Sequence, residues 1–295
     1  MNLVIPIGLA LSIGPLVIAV AVRFLWMRST VPLGTRVAVL TAIAGLIPAA
    51  AAIVPQLASW IVMPLSLSLA SRAVTPLILG IVALPLLMIP GPQARTRGIA
   101  TLSRRSVRQF VPKGWIWVLL ALIVVVLGLT IAAGAASSPD ENGHYTMYWG
   151  SIGTMRFGTQ IYGWFFSTPS LVSLAALLVM LCAALSVIAS RARDDDIEAD
   201  AAVRRLRATN VLRICFGAIL IHLSVILRSL AGASALGGES TTTELGTVAV
   251  GTPFAALEPL LFWTGTAAFV IGLTACLLTA LTAIPTRRST TAMRS

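Results

Sequence analysis

Seven apolar stretches constrain this chain more than any other feature. At about 1.5 Å of rise per residue, each is long enough to carry a helix across roughly 30 Å of hydrocarbon. They lie near 3–25, 37–58, 73–90, 115–136, 168–190, 211–231 and 257–284. With 57% apolar and only 11% charged residues, the chain falls outside the range of soluble domains. The expected fold class is an all-α integral membrane protein, a bundle of about seven transmembrane helices.

The basic residues set the expected orientation. Eighteen of the twenty-one fall into four groups: Arg23, Arg28 and Arg36; Arg95, Arg97, Arg104, Arg105, Arg108 and Lys113; Arg191, Arg193, Arg204, Arg205, Arg207 and Arg213; and Arg287, Arg288 and Arg294. A seven-span path puts all four on one side, which the positive-inside rule makes cytoplasmic. The N-terminus is then outside, the C-terminus inside, and the protein a multi-pass protein of the cell membrane. The first stretch carries its charges after its apolar core and lacks a basic leader region, so it reads as a retained helix. The net charge of +11 follows from topology and from attraction to anionic lipid, without nucleic acid as a partner. Twenty arginines against one lysine fit a GC-rich bacterial genome.

This reading divides the chain into an N-terminal three-helix membrane region (1–90), a basic cytoplasmic loop (91–114), a membrane hairpin with an aromatic outer loop (115–190), a charged cytoplasmic helix (191–210), a second membrane hairpin (211–284) and a basic tail (285–295). Pro55, Pro64 and Arg72 interrupt residues 55–72, which suggests an interfacial or re-entrant piece. Pro48, Pro55, Pro76 and Pro85 are expected to bend or locally unwind spans two and three. In the loop 91–114, a short helix could rest on the membrane surface with its arginines toward headgroups. In 191–210, acidic residues precede basic ones, the order that suits a helix dipole, and Asp200 to Arg204 is an i,i+4 pair. A solvated cytoplasmic helix running into span six is expected there, and Asp194, Asp195 and Asp196 read as its N-terminus rather than a cation site.

A short repeat lies between the apolar runs. Residues 152–159, Ile-Gly-Thr-Met-Arg-Phe-Gly-Thr, recur 93 positions later at 245–252 as Leu-Gly-Thr-Val-Ala-Val-Gly-Thr. The same offset carries span four onto span six and span five broadly onto span seven, which implies a tandem parallel hairpin repeat. Period-two alternation within each core predicts short strands, expected to pair with each other in a small extended extracellular cap.

Candidate site residues cluster toward the outer face. The loop 137–167 holds Tyr145, Tyr148, Trp149, Phe157, Tyr162, Trp164, Phe165 and Phe166. Such a set forms an interfacial aromatic belt or, alternatively, a cap over an outward-facing cavity. Arg156 lies among them. Arg228 and Glu258 fall at similar height near the outer boundary and are expected to form an ion pair. His222 is expected near the bilayer middle, hydrogen-bonded to a Ser or Thr of another helix.

The residues exclude more functions than they name. Lys113 is the only lysine and lies at a span edge, which removes a retinal Schiff base. A single intramembrane histidine removes a bis-histidine haem. Cys182, Cys215 and Cys276 lack CxxC spacing and read as small apolar residues. Walker A, HExxH, GxSxG and aspartate-rich prenyl-diphosphate motifs are missing. No catalytic, cofactor-binding or metal residues are assigned. The function expected by elimination is a permease-like transport subunit energised by a separate cytoplasmic ATPase or other protein, with the lipid bilayer as its surroundings and homo- or hetero-oligomers as possible assemblies. The alternatives are a sensor or assembly factor that recognises a lipid, peptide or cell-envelope ligand through its outer loops, and a membrane enzyme acting on a lipid.

Overall fold

The computed structural model describes residues 4–27, 33–61, 69–89, 110–152, 155–190, 197–242 and 246–284. They form seven α-helices: α1 (Val4–Ala21), α2 (Thr35–Ile61), α3 (Leu69–Met88), α4 (Lys113–Ala135), α5 (Trp164–Ser190), α6 (Ile197–Ser234) and α7 (Glu258–Leu281). Six of these, α2 to α7, are long and apolar enough to cross a membrane. The described part of α1 falls short of that criterion, and α1 continues into a single π-helical turn, Val22–Trp26. The expected surface helix within 91–114, the three aspartates 194–196, Pro64 and the tail 285–295 lie outside the described residues.

Each helix closes its own backbone hydrogen bonds, the condition for any segment without water around it. Many of the helix hydroxyls follow the same rule. Thr41, Ser167, Ser170, Thr266, Thr274 and Thr279 each donate to the carbonyl four residues earlier. They cost little inside an apolar bundle because their polar needs are met locally. Pro76 and Pro85 sit within α3 without interrupting it, so the expected unwinding does not occur there.

The axis of the bundle is α6, which packs against α2, α3, α4, α5 and α7. Small residues let these helices approach closely. A Cβ on Gly217 would lie 2.6 Å from Cys276 Sγ and 2.8 Å from Gly272 O, and one on Gly272 would meet Gly217 O at 2.9 Å, so α6 and α7 cross nearly backbone to backbone. Gly80 of α3 faces Ala218 of α6 in the same way, and Gly45 of α2 faces Cys276 and Ala280 of α7. By contrast, α4 is peripheral. Trp117, Val124, Val125 and Ile131 leave its outer face apolar and exposed.

At one end of the bundle, the hairpin end, the α4–α5 and α6–α7 connections form β-structure. Strands β1 (Ser138–Pro139), β2 (Tyr145–Ile152) and β3 (Met155–Gln160) make one antiparallel sheet, while β4 (Gly237–Thr242) and β5 (Gly246–Gly251) make another. The two repeat cores therefore do not pair with each other: β3 pairs with β2, and β5 with β4. A tight connection lets each strand fold back on its predecessor, which is closer at hand than a strand 93 residues away. The offset does not carry one ladder onto the other. Met155 pairs with Ile152, but its repeat counterpart Val248 pairs with Ser240 rather than Leu245.

Candidate functional site

At the hairpin end, two residues of the loop before α5 decide the geometry. A Cβ on Gly163 would collide with Tyr145 O, so the strand base sits directly on the helix start, and this close approach drives Tyr162 inward. Tyr162 is fully buried, which places it inside the bundle rather than in an aromatic belt. Its ring stacks on Phe166 at 6.4 Å and meets the His222 ring edge-on at 6.3 Å. Its hydroxyl has no hydrogen-bond partner.

His222 does join two helices, but its partner is neither Ser nor Thr. Its Nδ1 lies 2.8 Å from the carbonyl oxygen of Ala73 in α3. A carbonyl only accepts, so Nδ1 carries the proton and the imidazole is held in one tautomer. Ala73 is the fifth residue of α3, one turn from its start, and Tyr162 lies two residues before α5. Along α6, His222 lies twelve residues before the helix end at Ser234, and its neighbours Leu220 and Ile221 pack on Gly272 in the middle of α7.

The expected Arg228–Glu258 ion pair is not formed: the salt bridges among the described residues do not include it. Arg228 instead turns along α7, its Nη2 3.5 Å from Thr266 Oγ1 and its guanidinium 5.5 Å from the Phe269 ring centre. Thr266 is eight residues beyond Glu258, about 12 Å along the helix, so Glu258 lies too far out. Arg228 is six positions beyond His222, which puts the two about 120° apart around α6. His222 faces α3 and Tyr162 while Arg228 faces α7, and the two do not share a site with Glu258.

The remaining candidates form a small surface. Trp149 lies over Gly158, its cross-strand partner, where a Cβ would come within 2.6 Å of the indole. The exposed Arg156 stacks its guanidinium 5.1 Å from that same ring. Gly158 is thus small to admit Trp149, whereas its repeat counterpart Gly251 faces only Gly237. Trp164 is the first residue of α5 rather than part of the loop, and its indole lies flat on Gly134 of α4. Tyr148 meets Phe254 edge-on at 5.4 Å, joining the first connection to the second. Among the described residues, no His, Cys, Asp and Glu group could hold a metal ion.

The opposite end, here the basic end, holds the residues that sequence reasoning missed. Arg204, taken for part of a solvated face, is buried and bonds Asp200 at 2.7 Å and Ala189 O, at the end of α5, at 3.0 Å. One turn on, the buried Arg207 donates through Nη2 to Leu87 O and Ile89 O at the end of α3. Arg23, fully buried, donates to Leu281 O and Ile284 O at the end of α7 and to Met27 O. The last carbonyls of a helix have no partner in their own helix and carry partial negative charge, which suits a guanidinium fork. The available signal was positional: basic groups recur at every second span end, and Arg204 and Arg207 are three apart on one face.

The chain matches no protein-family model, and no curated protein or solved structure is significantly similar to it.

Proposed function

We propose that this is a multi-pass protein of the cell membrane with seven spans, its hairpin end outside and its basic end cytoplasmic, acting as a permease-like transport subunit energised by a separate cytoplasmic partner. The observation that carries the reading is α6. Its 38 residues span about 57 Å, far more than a hydrocarbon core needs, and the excess lies at the basic end. There, Arg204 and Arg207 fasten it to the ends of α5 and α3. A partner pressing on the exposed Glu198 or Arg205 would move three helices as one body. A tandem helix–β-hairpin–helix unit, α4 to α5 and α6 to α7, belongs to this proposal as its architectural basis.

The Arg156–Trp149 stack favours a second reading, a sensor or assembly factor that meets an anionic or aromatic envelope ligand on its outer face. Purification in mild detergent followed by identification of co-purifying chains separates the two. The transport reading expects an ATPase or comparable energising protein; repeated recovery of the chain without one would sink it.

A further inference from the structure

The geometry points to a binding site for a phosphate-bearing anion at the basic end, between Arg23 and Arg213, supplied from the membrane side by an acidic phospholipid headgroup. The two guanidiniums bracket one residue: Arg23 Nη1 donates to Met27 O at 2.9 Å, and Arg213 Nη2 points to Met27 Sδ at 3.6 Å. Their charges repel each other. Arg204 answers its charge with Asp200, but among the described residues no carboxylate lies within 4 Å of Arg23 or Arg213. Two neighbouring cations without a counter-charge, set into an apolar bundle, are costly unless an anion joins them.

Their hydrogen bonds differ. Arg23 spends Nε, Nη1 and Nη2 on three carbonyls and is sealed from solvent. Arg213 has only Asn210 Oδ1, at 3.2 Å, and the thioether, a weak acceptor. Asn210 is itself committed, its Nδ2 donating to Thr282 Oγ1 at 2.8 Å. Arg213 is only partly buried, and its Nε, which has no partner, is not enclosed by protein. A planar fork with open donors matches two phosphate oxygens. The adjoining surface is apolar: Phe24, Leu25 and Trp26 are exposed, Trp26 by 87%. A lipid can therefore lay its chains along this turn and present its phosphate to Arg213, with Trp26 at the interface.

The inference rests on membrane insertion, so the test begins with the whole chain reconstituted in neutral phosphatidylcholine vesicles; failure to incorporate would count against insertion itself. Phosphatidylglycerol is then titrated in and thermal unfolding followed. The expected result is a rise in Tm of about 5 °C in the wild type, lost in Arg213→Gln, partly kept in Arg213→Lys and fully kept in Arg205→Gln. Native mass spectrometry of the wild type should retain bound phosphatidylglycerol over phosphatidylcholine, a readout that stands if Arg213→Gln does not fold. Equal retention of the two lipids, or an Arg213→Gln response like the wild type's, overturns the site. A rise with inorganic phosphate and none with phosphatidylglycerol overturns the lipid as its source.

Discussion

Arg207 shows how much one side chain can hold at the basic end. Its guanidinium accounts for two terminal carbonyls of α3 from a position inside α6. Removing the donor leaves buried acceptors unsatisfied, so Arg207→Gln should lower unfolding stability by about 2–3 kcal/mol, measured by thermal unfolding in detergent. The exposed Arg205→Gln should stay within about 0.5 kcal/mol of wild type. Asp140 gives a pH-dependent case at the other end. Its Oδ1 accepts from the backbone N–H groups of Asn142 and His144, both at 2.9 Å, and its Oδ2 from Thr146 Oγ1 at 3.0 Å. The His144 N–H leads in holding the carboxyl below its usual range, assisted by Thr146, Asn142 and the His144 ring and opposed by desolvation. A depressed folded-state pKa gives stability that is present above the unfolded value and lost as pH falls through the folded one. Amide exchange at Asn142 and His144 should therefore be slow at pH 5 and accelerate only below the ordinary aspartate range. Acceleration already at pH 5 would contradict the assignment.

At the scale of elements, glycine positions decide which helices can touch. Gly217→Leu or Gly272→Leu should force α6 and α7 apart and abolish a monodisperse folded species on size exclusion, since the obstructing atoms include backbone. Gly128→Ala, facing open space on α4, should fold normally and gain slightly in helix stability. Helix positions were legible in the sequence because apolar run length reports them directly, and the 197–234 helix was foreshadowed by acidic residues ahead of basic ones. The start of α5 was not: Trp164, Phe165 and Phe166 looked like loop aromatics until Gly134 and Gly163 gave them a helix to pack on. Strand pairing was also hidden. The Gly-Thr cores mark strands, but a ladder's register depends on where each chain reversal falls: the first core, 152–159, starts on the last residue of β2 and runs into β3, whereas Gly246 and Thr247 of the second already belong to β5.

For the whole molecule, the proposed orientation rests on the four basic groups and a seven-span path. A reporter placed at residue 143 or 240 should signal from outside the cell, and a cytoplasmic signal from either would reverse the proposal. The candidate site was legible only in part. His222 and Tyr162 were recognised as unusual and do meet, but Arg228 and Glu258 were paired by height alone, which says nothing about the direction a side chain takes around its helix. The arginine clamp was unreadable because charge in a loop resembles solvated charge until the ends of neighbouring helices are brought to it. That clamp also bears on the order in which the protein can be completed. Arg23 is made well before its partners: the carbonyls of Leu281 and Ile284 that receive it arrive 258 and 261 residues later. The ends of α3 and α5 likewise wait for α6, the sixth helix to be made. The helices α1 to α5 are therefore made before their axis exists, and α1 cannot be locked until α7 has left the ribosome. A chain stalled before residue 197 would be a loose raft of helices with unmet carbonyls, a natural target for membrane quality-control proteases.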